Sequence, residues 1–250
     1  MGRIQLPGII AHRGASDRAP ENTLLALREA ASQGATWVEC DVIVSQDHQL
    51  VVCHDETVNR TTNGKGRVSQ LPYSALSQLD AGSWFSQAAA GERMPLLSEW
   101  IGTAESLGLQ LNVELKGRCY RDVLVDQAAH LLAESQQRTG RPYLVSSFQL
   151  ATIVRYATRF PEQPYAINFS RWPWRFPRVA LKPTCYSWHF NAASLTAKRV
   201  RYAKARGKSV VAYTVDEVDV AARLFAMGVD AIFSNNMELI QQFGADKAIQ

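Results

Sequence analysis

The sequence predicts an α/β fold, a single (β/α)8 TIM barrel with a small insertion after the second strand. Three observations point there. Short β-rich runs alternate with helix-length amphipathic runs along the chain, the pattern of a parallel sheet with crossover helices. About eight strand candidates can be picked out, and eight such units close into a barrel. The length, 250 residues with 46% hydrophobic content, suits one domain of that size. An open doubly wound sheet shares the alternation, and pattern alone does not separate the two.

The strands are expected at residues 8–12, 37–44, 109–115, 143–147, 165–169, 184–188, 209–213 and 231–234. A helix is expected over 23–33, where Leu24, Leu27 and Ala31 recur at helical spacing before Gly34 ends the run. Others are expected over 194–206, stopped by Gly207, and over 218–227, stopped by Gly228. Residues 55–95 are too long and too polar for a simple connection, and read as an insertion over the barrel mouth. The whole chain, 1–250, is expected to form one domain, without internal sequence repeats.

The charge balance, 27 basic against 23 acidic residues, suits a small anionic substrate and falls short of a nucleic-acid-binding signature. No Lys/Arg run or basic helix stands out. The first ten residues hold no apolar stretch of signal-peptide length, and nothing later has the length to cross a bilayer. The expectation is a cytoplasmic protein without stable membrane association. Cys40, Cys53, Cys119 and Cys185 lack a C-x-x-C pair, so neither a zinc site nor a redox motif is indicated, and they read as reduced small hydrophobes.

Chemistry concentrates at strand ends. The first strand ends in Ala11-His12-Arg13-Gly14, and Pro20-Glu21-Asn22-Thr23 opens the next helix. In a barrel, the C-terminal ends of the strands face the active site, which puts His12 and Arg13 there. The second strand carries Glu39-Cys40-Asp41, and a period of two sets both carboxylates on one face. Among Trp37, Val38, Val42 and Val44, two ionised carboxylates need a cationic partner. A hard divalent cation, Mg²⁺ or Ca²⁺, is the economical choice. The third strand repeats the logic: Asn112, Glu114 and Lys116 share a face, so Glu114 can supply a third carboxylate. His54-Asp55 follows the run 50–53, and a second imidazole lets one ring accept a proton while the other donates one. His189, expected at the end of the sixth strand, lies where it could touch substrate. The stretch 172–177, with two tryptophans and Phe176, reads as packing against the barrel, with a mouth lid or a weak membrane-touching patch as alternatives.

These strings, with Val113-Glu114-Leu115-Lys116, resemble the glycerophosphodiester phosphodiesterase family in order and spacing. The likeness extends through Asn59-Arg60-Thr61-Thr62-Asn63-Gly64, Leu79-Asp80-Ala81-Gly82-Ser83-Trp84-Phe85 and Met94-Pro95-Leu96-Leu97-Ser98-Glu99 to Ser146-Ser147-Phe148, Tyr213-Thr214-Val215-Asp216 and Gly228-Val229-Asp230-Ala231. The resemblance implies a barrel hydrolysing glycerophosphodiesters to glycerol 3-phosphate and an alcohol. It implies a divalent metal on Glu39, Asp41 and Glu114, and His12 and His54 as general acid and base. Arg13 and Lys116 would bind the phosphate, with Phe148, His189 and Tyr213 as further substrate contacts. The internal nucleophile it implies is the glycerol hydroxyl beside the phosphate, which leaves a cyclic phosphate for water to open.

Two departures stand out. Tyr213 replaces a common Trp, which keeps an aromatic wall for the glycerol. Ser234-Asn235-Asn236-Met237 replaces a common Thr-Asp-x-Pro, a change expected to affect the mouth more than the chemistry. Two other functions fit the same residues less well: a lysophospholipase D-like enzyme, which needs a long apolar groove, and a catalytically inactive binding barrel, which has no reason to keep the carboxylates.

Overall fold

The computed structural model describes residues 4–243, so both ends of the expected 1–250 domain lie outside the described residues. In chain order the strands are β1 (Ile9–Ala11), β2 (Trp37–Val44), β3 (Leu50–Val52), β4 (Gln110–Leu115), β5 (Tyr143–Ser147), β6 (Tyr165–Phe169), β7 (Cys185–Asn191), β8 (Ser209–Tyr213) and β9 (Ala231–Ser234). All but β3 pair in parallel around a ring that returns from β9 to β1 and from β1 to β2. This closure is what an open doubly wound sheet lacks. β3 runs antiparallel on the outer part of β2, with Val42 opposite Val52.

The helices are α1 (Leu24–Ser32), α2 (Tyr73–Leu76), α3 (Leu97–Ser106), α4 (Arg121–Thr139), α5 (Leu150–Arg159), α6 (Ala197–Lys204), α7 (Val218–Ala226) and α8 (Glu238–Phe243). Thr23 starts α1 as its N-cap, accepting the Ala26 N–H at 3.2 Å. Between β6 and β7 a 3-10 turn, Arg178–Leu181, stands in place of an α-helix. Pro173, Pro177 and Pro183 break any longer helical run there.

Each strand is buried on both faces, and the period of two sorts its side chains. In β2, Val38, Cys40, Val42 and Val44 face outward and join Leu27, Leu97 and Trp100 in the layer beneath the helices. Trp37 faces inward with Ile10, Leu144, Ala166, Val211, Ala231 and Phe233. Burying one such large side chain is worth about 1.5–3 kcal/mol. Ile4 belongs to this inner core, where the Tyr186 hydroxyl donates to its carbonyl at 2.9 Å. The chain thus plugs the barrel from the N-terminal side and leaves the other end for chemistry.

Residues 55–95 build a small core of their own. Val58, Val68, Leu76, Ala81 and Met94 pack with Ile43, Val51 and Cys53. The Asp80 carboxylate accepts the N–H groups of Gly82, Ser83 and Gly91 at 2.8, 2.8 and 3.0 Å, which closes the loop on itself. The segment packs on Ile43 and Val51, on the face that β2 shares with Trp37, Glu39 and Asp41 and beyond Asp41 at the C-terminal end of the strand, and none of it lines the cavity at the barrel mouth.

Candidate active site

The turn after β1 is built to aim backbone as well as side chains. Arg13 and Gly14 both have positive φ, 59° and 83°, which turns the Arg13 N–H onto Glu39 Oε2 at 3.0 Å. A Cβ on Gly14 would lie 2.7 Å from the Ala26 backbone carbon, so the close approach to α1 requires glycine. The chain returns at Asn22, whose N–H meets the Arg13 carbonyl at 2.9 Å and whose Nδ2 donates to Asp41 Oδ2 at 2.9 Å.

Strand register brings the carboxylates together. Glu39 pairs beside Asn112, and Asp41 beside Glu114, across the β2–β4 ladder. One oxygen from each of Glu39, Asp41 and Glu114 lies within 4.8 Å of the others, and all three residues are buried. Compensation among them is uneven. Asp41 contacts Arg13 Nε at 3.2 Å and Lys116 Nζ at 3.4 Å; although burial opposes it, those cations hold its carboxyl below the usual range. Glu114 takes Lys116 at 3.3 Å and the Asn168 amide at 3.0 Å. Burial, followed by the Asp41 charge, still pushes Glu114 up to about 7. Glu39 is driven well above the usual carboxylate range by burial, then by Asp41 and Glu114. Three convergent carboxylates short of positive charge are a donor set that fits a hard divalent cation.

The two histidines have different backing. His12 Nδ1 faces Asn235 Oδ1 at 2.8 Å, while its Nε2 lies 4.0 Å from Glu39. The Asn235 Nδ2 donates to Asp216 Oδ2 at 2.8 Å, and its backbone N–H donates to Oδ1 of the same carboxylate at 2.7 Å. That carboxylate fixes which way the amide points, so Asn235 presents an acceptor to His12 and Nδ1 carries the proton. Burial, then Arg13, lowers His12 to about 4. His54 Nδ1 instead meets the Asp55 carboxylate at 2.6 Å, and burial lowers its pKa. Asp55 is held at about 2, chiefly by Arg60, which also reaches Glu21 at 2.7 Å. Glu21 accepts Arg13 Nη1 at 2.8 Å, which links the two sides of the site.

An open cavity of about 510 Å³ collects these groups. His12, Arg13, Glu39, His54, Glu114 and Lys116 line it, with Phe148 and Tyr213 in edge-to-face contact at 5.4 Å. His189 is absent from that lining. β7 continues to Asn191, past the expected end at 188, so His189 sits inside the strand. It is wholly buried against Ser187 Oγ at 2.8 Å and the Phe233 ring at 5.1 Å. The expected substrate contact is corrected to an interior residue beneath the site.

Asn235 is a second correction. Its position was expected to matter for the mouth, yet its amide is bonded to His12. Sequence reasoning also gave no role to Asn22, Asn168, Asp216 or Arg60. Asn22, Arg60 and Asp216 stood in quoted motifs, and Asn168 follows the inward period of β6.

A family model described as the glycerophosphoryl diester phosphodiesterase family matches residues 12–239. A putative glycerophosphodiester phosphodiesterase of Bacillus subtilis is 34% identical, over 96% of this chain and 99% of that protein. A glycerophosphodiester phosphodiesterase of Caldanaerobacter subterraneus is 31% identical, over 93% and 95%. The solved structure of an Oleispira antarctica phosphodiesterase in complex with the product sn-glycerol-3-phosphate is 36% identical, with a TM-score of 0.88 over 95% of this chain and 96% of that one. With the cavity at the C-terminal end of a closed parallel barrel and the match running through nearly every strand, the chain belongs to the glycerophosphoryl diester phosphodiesterase family.

Proposed function

We propose that the chain hydrolyses water-soluble glycerophosphodiesters to glycerol 3-phosphate and an alcohol, with a divalent cation, Mg²⁺ or Ca²⁺, on Glu39, Asp41 and Glu114. The observation that carries this reading is the convergence of two histidines, two cations and the Glu39 and Glu114 carboxylates on one cavity, with Asp41 directly beside them. The cation, when bound, neutralises phosphate charge and lowers the pKa of a nearby hydroxyl. Arg13 and Lys116 receive the phosphate oxygens, and Phe148 and Tyr213 form the wall for the glycerol.

The backing of each ring divides the proton transfers. His12 keeps its proton on Nδ1 against a neutral amide, so Nε2 is free to accept. His54 is backed by an ionised Asp55, which stabilises the protonated ring and suits it to donate. His12 takes the proton of the glycerol hydroxyl as its oxygen bonds to phosphorus, and His54 protonates the departing alcohol oxygen as that P–O bond breaks. Water then gives its proton to His54 and adds to the cyclic ester, and His12 returns its proton to the glycerol oxygen. The four free cysteines suit a reducing compartment, the cytoplasm.

The test is a coupled assay for glycerol 3-phosphate over a panel of glycerophosphodiesters and long-chain lysophospholipids. Release from glycerophosphocholine and glycerophosphoethanolamine at similar rates is the expected result. A clear preference for lysophospholipids would move the assignment to the lysophospholipase D type. The histidine roles are tested separately by His12→Ala and His54→Ala, each expected to lower kcat about 10²-fold to 10⁴-fold with KM little changed. On a p-nitrophenyl diester, whose leaving group needs little protonation, His54→Ala should recover most of its rate and His12→Ala should not.

A further inference from the structure

The modest net charge conceals a strong asymmetry. Between residues 163 and 215 the chain carries ten Lys and Arg and no Asp or Glu, which leaves 17 basic against 23 acidic residues elsewhere. This sector spans β6, the loop that follows it, β7, α6 and β8. Contrary to the sequence expectation of no basic helix, α6 is one: Lys198, Arg201 and Lys204 are exposed along it. Of the sector's basic residues, only Lys204 has a carboxylate partner within ion-pair distance, Asp230, among the described residues.

The loop after β6 adds an aromatic element at the end of the barrel that holds the cavity. Trp172 stacks on Phe190 at 4.9 Å, and Phe176 stacks on Trp188 at 4.1 Å. These two anchors, with Pro173 and Pro177, fix the loop and leave Trp174 between them fully exposed, at 101% of its reference area. It makes no ring contact among the described residues. Beside it runs a groove lined by Arg175, Lys198, Arg199 and Tyr202, and Leu181 is half exposed next to it. A rigidly displayed Trp costs hydration in solution, and its natural environment is a membrane–water interface.

We propose that this sector is a reversible docking surface for anionic phospholipid bilayers, with Trp174 entering the interface and the surrounding Lys and Arg meeting the lipid phosphates. The pairing of apolar anchor and unpaired basic charge selects a lipid surface over duplex nucleic acid, which would use the charge but leave Trp174 and Leu181 in water. The surface charge decays within about a Debye length, so the attachment is salt-sensitive. The proposal stands apart from the catalytic reading, because neither Trp174 nor Arg175, Lys198 and Arg199 beside it lines the catalytic cavity.

The test is vesicle flotation of the full chain at low salt, using phosphatidylcholine alone or mixed with phosphatidylglycerol. The protein should float with the mixed vesicles, stay behind with phosphatidylcholine, and be released by added salt. Trp174→Ala should weaken binding about tenfold, and Arg175→Glu with Lys198→Glu should weaken it by at least about fivefold per site. Lys65→Glu, an exposed control on the insertion, should float like the wild type. Melting temperatures of all variants guard against misfolding. Three results overturn the proposal: no flotation of the wild type on mixed vesicles, equal flotation of the sector variants and the wild type, or tighter retention on duplex DNA than on vesicles at equal phosphate concentration.

Discussion

Glu39 is the residue at which stability and function pull apart. Its carboxyl is buried, faces two further carboxylates, and receives a single backbone N–H from Arg13. Glu39→Gln keeps an oxygen for that hydrogen bond and removes the repulsion. The metal-free variant should therefore melt above metal-free wild type, by about 1 kcal/mol or more at pH 8, and lose its response to Mg²⁺ or Ca²⁺. A thermal melt of both proteins with chelator and with metal checks it; a metal-responsive variant would remove Glu39 from the ligand set. His189 gives a different residue-scale expectation. Burial lowers it to about 3 in the folded protein, against 6.5 unfolded. The unfolded chain thus holds one more proton between those values, and stability falls as pH drops through that window by about 1.4 kcal/mol per pH unit. His189→Asn should flatten this acid slope, read as the change in urea midpoint from pH 7 to pH 5.

At the scale of elements, the turn from β1 into α1 positions more of the site than any other segment. Gly14→Ala pushes a Cβ to 2.7 Å from the Ala26 backbone in a left-handed conformation, so α1 must shift or the turn must open. A loss of about 2 kcal/mol or more in stability is expected, with a fall in kcat larger than for Thr23→Ala, which removes the α1 cap and the hydroxyl's bond to the Pro20 carbonyl and costs about 1 kcal/mol. Equal kcat for the two variants would show that the turn does not set the geometry of His12 and Arg13. The same elements explain what could be read in advance. In β2 the carboxylates sit two apart among apolar neighbours, and in β4 Glu114 lies two from Asn112 and two from Lys116, so period and cost pointed to a shared inward face, and the register brings Glu114 beside Asp41. The end of β7 was not legible, because Trp188, His189 and Phe190 continue a strand or leave it equally well by pattern. Nor was the link from Asp216 through Asn235 to His12. It joins three segments by side-chain amide geometry, and its outermost members are 204 positions apart in the chain.

For the whole molecule, closure of the barrel turns separate strand ends into a single site, and charge is sorted in the same way. The basic sector at β6 to β8 offsets an acidic remainder, so a net charge of +4 described neither part. A cation on the carboxylate cluster should raise global stability, because a ligand that binds only the folded barrel stabilises it by about 2.7 kcal/mol at a hundred times its Kd. For a chain of this length that amounts to roughly 5–10 °C in Tm. Binding should also weaken as pH falls below 7, since the raised carboxyls of Glu39 and Glu114 must release protons first. Titration calorimetry in buffers of different ionisation heat reads that release.

The most direct test of the account is glycerol 3-phosphate release from glycerophosphocholine by a single preparation, first stripped with chelator and then replenished with Mg²⁺ or Ca²⁺. No detectable release is expected from the stripped protein, with recovery on replenishment and with Glu39→Gln inactive under both conditions. Full turnover by the stripped wild-type protein would contradict the account.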